Sequence, residues 1–358
     1  MGLFGLGEDA KVPRLELELT SACDHRCAHC YNVWNAPGSQ YPRGALPTAD
    51  YLAMLERLVR QSGARELVLT GGEPLLHPDA LKVAEKAVSL VSRVGSGGPP
   101  GRPHVRLVTN GSHVDPATAK SLKGIGISAV QLTLLASRRE KHDALKGVTS
   151  FDDTLRALLN LRDVGLPVQV CFVASRQNAG ELPDVLELCY GLGVRMLVYN
   201  RMCPSGGAVG RIAELVPEVE EVEADLEVAE RLGRLRGIAV ATAMPIPPCL
   251  VRLERYPWIR FGFCSVGSAS PNLVVDPLGN VRPCNLSSTI LGNVLKTDFA
   301  KIRHAAFGKR FRREVPPMCR GCAYQDSCNG GCKASALAAY GSAVKPEPFL
   351  HFALEGRR

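Results

Sequence analysis

The sequence predicts an α/β fold built on a parallel sheet, followed by a smaller, cysteine-rich region. Through the first two-thirds of the 358 residues, short apolar stretches alternate with longer amphipathic ones, which is the pattern of strand–helix–strand units. The apolar stretches are rich in Val, Leu and Ile, as expected of strands covered on both faces. Cysteines become dense beyond the Pro-rich stretch that ends at residue 248. We therefore predict one domain at 1–245 and a second at 246–358.

Six stretches have the length and composition of buried strands: residues 14–20, 66–70, 104–109, 129–134, 167–173 and 194–200. The amphipathic stretches between them predict crossover helices at residues 49–61, 79–91, 116–123, 152–164 and 180–192. A long charged helix is predicted at 217–236, and the Gly/Pro-rich residues 95–103 predict a loop before the third strand. Since right-handed crossovers bring the carboxyl ends of parallel strands to one edge, we expect the functional site there.

Composition and charge exclude several classes of protein. No apolar run approaches the length of a membrane span, and residues 1–10 lack the basic region and apolar core of a secretory signal. We therefore expect a cytoplasmic protein without membrane contact, in which the thirteen cysteines favour metal binding over disulfides. The formal net charge is +8, but no nucleic-acid-binding motif accompanies it, so we expect no nucleic acid partner.

Three cysteines directly follow the first predicted strand. Cys23, Cys27 and Cys30 are separated by three and then two residues. Thiolates select iron–sulfur clusters or zinc, and a site with three protein ligands leaves one metal position open for chemistry. On spacing alone, zinc binding and unliganded thiols remain alternatives. A GGEP segment follows the second strand and, taken alone, predicts an ordinary turn.

Together, residues 15–31 (LELELTSACDHRCAHCY) and the GGEP segment resemble the radical S-adenosylmethionine (radical SAM) superfamily. The resemblance implies a partial (β/α)6 barrel, open on one side, with a [4Fe–4S] cluster on the three cysteines and SAM bound at its open iron. It also implies a set of residues around the SAM cofactor: Gly71, Gly72, Glu73, Pro74, Thr109, Asn110 and Thr133. An ordinary Asn-Gly turn is the alternative for Thr109 and Asn110.

The C-terminal cysteines have a spacing of their own. Gly279 stands between Cys264 and Cys284, and a C-x2-C-x5-C-x3-C run follows at Cys319, Cys322, Cys328 and Cys332. Zinc is the alternative for such paired cysteines. The whole block resembles the SPASM domain, a small, loop-rich C-terminal iron–sulfur domain that holds auxiliary clusters.

The SPASM resemblance implies one or two auxiliary iron–sulfur clusters. One would use Cys264, Cys284 and Cys332, with Cys249 as the candidate fourth ligand. The other would use Cys319, Cys322 and Cys328, but Leu350 stands where the family has its last cysteine. An open iron, ligation by His351 or Glu347, and absence of this second cluster all remain alternatives.

The loop after the sixth strand holds two further candidates. Arg201 could bind a carboxylate through both guanidinium nitrogens or cap the barrel edge. Cys203 could donate a thiol hydrogen, although a role outside catalysis is favoured.

The resemblance implies reductive cleavage of SAM to a 5′-deoxyadenosyl radical, which abstracts hydrogen from the substrate; an auxiliary cluster can accept the electron released afterwards. Our leading hypothesis is oxidative modification or crosslinking of a ribosomally made precursor peptide. Alternatives are tetrapyrrole (haem-pathway) side-chain processing, sulfatase-maturase-like oxidation and, without catalysis, an iron–sulfur electron carrier. Expected partners are a peptide or small-molecule substrate, an electron donor such as flavodoxin or ferredoxin, and a separate leader-peptide-binding protein.

Overall fold

A central sheet of parallel strands organises the molecule. The computed structural model describes residues 14–94, 104–268, 270–303 and 306–356; the loop predicted at 95–103 and residues 1–10 lie outside these ranges. The first six strands are β1 Arg14–Glu18, β2 Glu66–Thr70, β3 His104–Thr109, β4 Ala129–Thr133, β5 Val168–Ala174 and β6 Met196–Arg201. They lie side by side in chain order, each parallel to the next. The predicted α/β class is confirmed.

Five short strands extend the sheet at its two edges. Next to β6 lie the parallel strands β7 (Ala239–Ala241) and β8 (Ile259–Arg260). Next to β1 lies the parallel strand β9 (Leu273–Val275), followed by the antiparallel β10 (Asn280–Arg282) and β11 (Gly292–Asn293). In the described ranges β8 and β11 form the two edges, so the sheet is an open, partial barrel.

The crossover helices cover the outer face of the sheet. They are α1 Thr48–Ser62, α2 Ala80–Val94, α3 Pro116–Ile125, α4 Arg139–Lys146, α5 Phe151–Asp163 and α6 Leu182–Gly191. The sequence predicted all of these except α4. Further helices are α7 Ile212–Leu215, α8 Val219–Arg236, α9 Phe299–Arg303, α10 Phe307–Arg313, α11 Gln325–Cys328, α12 Lys333–Tyr340 and α13 Pro348–Glu355. Among the described helices, none combines the length and apolar character that a membrane span requires.

The first strand shows how the sequence separates the core from the barrel interior. Side chains alternate between the two faces of a strand. Leu15 and Leu17 therefore join the main hydrophobic core, whereas Glu16 lines the interior. Glu18 is also buried and forms an ion pair with Arg282 on β10. The LELEL pattern thus directs apolar side chains towards the helices and acidic side chains inwards.

A buried carboxyl between β6 and α8 makes stability depend on pH. The Tyr199 hydroxyl donates to Asp225 at 3.1 Å. Burial raises the pKa of Asp225 from 3.8 to about 7, although the Tyr199 hydrogen bond opposes the shift. The folded protein therefore binds this proton more tightly than the unfolded chain. The resulting stabilisation is complete below the unfolded pKa and is lost as the pH rises through the folded pKa.

An Asp225→Asn variant keeps a polar partner for Tyr199 and has no charge to bury. Relative to the parent, its free energy of unfolding should rise by about 1–3 kcal/mol between about pH 5 and about pH 8. Anaerobic urea unfolding at both pH values measures this difference. A difference that does not change with pH would show that the carboxyl is ionised in the folded protein at both pH values.

Candidate active site

The three cysteines of the first motif lie on an irregular loop that follows β1. Cys23 is exposed, and Cys27 and Cys30 are partly buried. The side-chain amide of Asn35 donates to Cys30 Sγ at 3.4 Å. Hydrogen bonds to cysteine sulfurs are among the factors that set the potential of an iron–sulfur cluster. Three thiols on one loop, one of them already accepting such a hydrogen bond, fit a cluster that has one iron without a protein ligand.

The unpredicted helix α4 holds this loop in place. Its end accepts two backbone hydrogen bonds from the loop, Arg26 N to Lys146 O at 3.1 Å and Ala28 N to Leu145 O at 2.9 Å. Gly147 follows with a φ of +69°, and a Cβ at this position would lie 2.5 Å from Arg26 O. Only glycine permits this close approach. The sequence alone did not predict this contact between Gly147 and the cysteine loop.

A buried cation faces the cysteine loop. The Lys146 side chain is almost fully buried. Burial, and then the Lys146 charge, lower the pKa of His25 to about 4 and of His29 and His142 to about 3. These histidines are therefore neutral at pH 7. Burial raises the pKa of the Cys27 thiol, and the Lys146 charge opposes that rise. The cation thus favours the thiolate form, which iron binding requires.

The GGEP segment continues the β1–β2 pairing into the cysteine loop. Gly72 N donates to Thr20 O at 2.8 Å, and Glu73 N donates to Ala22 O at 2.7 Å. A Cβ on Gly71 would lie 2.6 Å from Thr20 O, and a Cβ on Gly72 would overlap Ala22 O even more closely. Both glycines are needed because the two loops touch through their backbones.

Glu73 joins three of the sequence motifs. Its fully buried carboxylate accepts from Thr109 Oγ1 and Asn110 N, both at 2.7 Å, and from Leu75 N at 3.0 Å. Burial raises the pKa of Glu73, and these three donors oppose the rise. Asn110 in turn donates to Asp24 in the cysteine loop at 2.7 Å. The GGEP segment (71–74), the Thr-Asn-Gly sequence at 109–111 (the TNG segment) and the cysteine loop therefore form one hydrogen-bonded unit at the carboxyl ends of β1–β3.

Removing one acceptor from Glu73 should loosen this unit. In a Glu73→Gln variant, the amide nitrogen cannot accept from Thr109 or Asn110, so at least one buried donor loses its partner at a cost of about 1–3 kcal/mol. We expect SAM affinity to fall roughly tenfold, measured by equilibrium dialysis of the reconstituted protein. The control is Glu56→Gln, which changes an exposed carboxylate paired with Lys86. Equal SAM affinity in both variants would contradict this role of Glu73.

The strands enclose a cavity of about 530 Å³ on the polar side of the sheet. Thr70 and Thr133 line it from β2 and β4, and His29 and Tyr31 line it from the cysteine loop. Thr133 is thus part of the cavity wall, whereas the Thr109 hydroxyl is directed at Glu73. Four cysteines line the same cavity. Cys203 comes from the loop after β6, and Cys264, Cys284 and Cys332 come from the C-terminal block.

The C-terminal block holds a second group of cysteines. Burial raises the pKa of Cys319, and the charges of Cys249 and Cys322 raise it further. Burial also raises the pKa of Cys328 to about 11, with a contribution from the charge of Cys249.

Arg201 has a carboxylate partner within the chain. Its guanidinium contacts both carboxylate oxygens of Glu347, and neither side chain is exposed to solvent. The guanidinium also lies over the Phe349 ring, 4.5 Å from its centroid. The sequence suggested that Arg201 either binds a carboxylate of a ligand or caps the barrel edge. Its buried contact with Glu347 supports the second role.

A barrel with three thiols and a GGE loop at its strand ends, followed by a second set of cysteines, defines a radical SAM enzyme with auxiliary clusters. Residues 17–189 match the family model of the radical SAM superfamily, and residues 264–323 match an iron–sulfur cluster-binding domain, SPASM. The chain thus carries a radical SAM domain followed by a SPASM domain. Its cofactors are SAM, a [4Fe–4S] cluster and auxiliary iron–sulfur clusters.

Curated relatives align with nearly the whole chain. An AdoMet-dependent heme synthase of Methanosarcina barkeri is 27% identical over 94% of this chain and 96% of its own length. The mycofactocin maturase MftC of Mycobacterium ulcerans is 29% identical over 93% of this chain and 85% of its own. A PqqA peptide cyclase of Rhizobium meliloti is 26% identical over 92% and 84%.

Solved structures share the fold. Streptococcus suis SuiB bound to its precursor peptide SuiA superposes with a TM-score of 0.71 at 15% identity, over 95% of this chain and 76% of that one. Native anSMEcpe with bound AdoMet gives a TM-score of 0.72 at 17% identity, over 96% and 95%. These likenesses confirm the partial-barrel architecture.

Proposed function

We propose that this chain catalyses the SAM-dependent oxidative modification or crosslinking of a precursor peptide. One observation carries the proposal: a single cavity is lined both by residues of the first cysteine loop and by cysteines of the C-terminal block. A substrate in this cavity would be next to the site of hydrogen abstraction and next to a group that can accept an electron. Net oxidation of a substrate needs both.

The chain's own residues prepare the site. We propose Cys23, Cys27 and Cys30 as the ligands of the first cluster, which together with SAM supplies a radical able to abstract hydrogen. The glycine pair of GGEP allows the two loops to touch, and Glu73 fixes the TNG segment against them. Thr133 and Tyr31 line the wall of the cavity in which SAM and substrate would lie.

One aligned relative is named for a peptide and another for heme. The side chains that line the cavity must therefore indicate which of these two substrate classes fits this chain. A tetrapyrrole carries acidic side chains that require cationic partners. Among the cations on the wall, Arg201 is paired with Glu347, and Arg14 and Arg106 are both paired with Glu66. The Lys333 ammonium donates to Phe311 O, Glu314 O and Asn329 Oδ1. These cations are thus engaged within the chain, which favours a peptide. Tetrapyrrole processing is the second candidate, because of the full-length heme synthase relative.

We further propose a domain boundary near residue 245, a cytoplasmic location, an electron donor such as flavodoxin or ferredoxin, and a separate leader-peptide-binding protein. The boundary lies between β7 and β8.

The test offers both substrates to the reconstituted enzyme with SAM and dithionite under anaerobic conditions. One is the peptide encoded by the short open reading frame nearest the gene, and the other is an iron tetrapyrrole with propionate side chains. We expect mass spectrometry to show a peptide lighter by two hydrogens and an unchanged tetrapyrrole. A decarboxylated tetrapyrrole with an unchanged peptide would contradict the proposal.

A further inference from the structure

The SPASM pattern supplies three cysteines for each of two auxiliary clusters, whereas a fully cysteine-ligated [4Fe–4S] cluster needs four. The structure brings one additional cysteine to the first set. Cys203 comes from the loop after β6. It does not lie within 264–323, the segment that matches the SPASM family.

Cys203 lies among the thiols of the first set. It packs with Cys332 and Leu286 in one small buried cluster, against which Cys284 also packs. Cys284 and Cys264 share the neighbouring cluster around Phe311. All four thiol-bearing residues line the central cavity. The four cysteines therefore converge from three separate parts of the chain.

Two hydrogen bonds hold the Cys203 loop against the segments that carry Cys284 and Cys332. Ser205 Oγ donates to Leu286 O at 2.6 Å, close to Cys284 in sequence. Ser335 Oγ, in the first turn after Cys332, donates to Pro204 O at 2.8 Å. All four atoms belong to buried or nearly buried residues. The position of Cys203 is therefore built into the fold and is not a chance approach of two side chains.

The other end of the same loop contacts the first cysteine motif. Ala208 N donates to Cys30 O at 3.1 Å. Gly206 has a φ of +52°, and a Cβ there would lie 2.5 Å from Tyr31 O. A single short loop thus connects the backbone of the first cluster site to the thiols of the first auxiliary set.

The second set is organised around the CNGGC sequence. Asn329, Gly330 and Gly331 all have positive φ values, of 55°, 81° and 78°. The N–H groups of Gly330 and Gly331 are directed at Cys328, and Tyr324 N donates to Cys322 Sγ at 3.5 Å. These contacts suit thiolates bound to iron.

The residues that the sequence offered as a last ligand of this second set are engaged elsewhere. Leu350 is buried in the main core, Glu347 is paired with Arg201, and His351 Nε2 lies 3.3 Å from a carboxylate oxygen of Glu355.

We propose that Cys203 is the fourth ligand of the auxiliary cluster held by Cys264, Cys284 and Cys332. That cluster is then fully ligated by protein, and each bound thiol releases its proton to solvent. The inference does not depend on which substrate the enzyme modifies.

The donor sets fit a cluster better than a single ion. Within the described ranges, no three His, Cys, Asp or Glu side chains are gathered tightly enough to hold one metal ion. An iron–sulfur cluster separates its cysteines further, because each thiolate binds a different iron.

The test uses the full-length chain with Cys23, Cys27, Cys30, Cys319, Cys322 and Cys328 replaced by alanine, so that only the first auxiliary cluster remains. Cys203→Ala is made in this background, and Cys189→Ala is the control, since Cys189 is a buried core residue of α6 outside this set. The measurements are iron per chain, EPR spectra after dithionite reduction, and hyperfine coupling to added ¹³C-cyanide, which binds an iron that lacks a protein ligand.

We expect no cyanide coupling in the background protein or in the Cys189→Ala control. Cys203→Ala should alter the EPR signal, with new cyanide coupling or with loss of the cluster's iron. Unchanged iron content and spectra in this variant would overturn the assignment. Cyanide coupling in the background protein would overturn full ligation even if the variant failed to fold.

Discussion

A Gly72→Ala variant is expected to cleave SAM at least about a hundredfold more slowly than the parent, because misplacement of reacting groups by about 1 Å can cost that much. The added Cβ would overlap Ala22 O, and the whole of residues 20–22 runs into the loop that carries Cys23. Gly72 N also donates to Thr20 O at 2.8 Å, so the two loops cannot separate without losing that hydrogen bond. The rate of 5′-deoxyadenosine formation under dithionite measures the effect.

Gly191→Ala is the matched control for this substitution. Gly191 is the last residue of α6, and a Cβ there has no neighbour within 4 Å in the described structure. Its rate should equal that of the parent. If Gly72→Ala cleaved SAM within twofold of the parent, the contact between the GGEP and cysteine loops would not be needed for the reaction.

The second large effect concerns stability. Glu347→Ala should lower the free energy of unfolding by about 3–5 kcal/mol, because it leaves the Arg201 guanidinium buried without its counter-charge. Arg201 also donates from Nε to Pro245 O at 2.8 Å and lies over the ring of Phe349. This one side chain therefore connects β6, the segment after β7 and helix α13. Anaerobic urea unfolding followed by circular dichroism measures the loss.

Two further variants separate charge burial from lost packing. Glu214→Ala breaks an exposed pair with Arg211 and should change stability little. Arg201→Met combined with Glu347→Leu removes both charges and should recover most of the stability lost in Glu347→Ala. A double variant as unstable as Glu347→Ala alone would show that packing of the side chains, and not the unpaired charge, is responsible.

The sequence predicted the parts of the fold whose signal is local. Strands β1–β6 are runs of buried apolar residues, and their order followed from the alternation with helices. Strands β7–β11 have only two or three residues each and exist because neighbouring strands supply their hydrogen bonds. Helix α4 was missed because it is short and its sequence, REKHDALK, is mostly polar, so that few apolar positions form a stripe.

The sequence likewise predicted only those site residues whose signal is local. Cys23, Cys27 and Cys30 are neighbours in sequence, so their spacing was sufficient to predict a shared role. The place of Cys203 depends on how the loop after β6 meets the C-terminal block, and no local pattern encodes those contacts. Glu347 was considered as a metal ligand because of its position near the chain end, whereas burial opposite Arg201 gives it a structural role.

Transfer of deuterium from the substrate tests the central claim most directly. The peptide encoded nearest the gene, deuterated at its side-chain carbons, is incubated anaerobically with the reconstituted enzyme, SAM and dithionite. We predict deuterium in the 5′-deoxyadenosine formed and an equal amount of oxidised peptide, with neither product from the protein lacking Cys23, Cys27 and Cys30. Formation of 5′-deoxyadenosine without deuterium, beside an unchanged peptide, would contradict the claim that this cavity holds a peptide for radical oxidation.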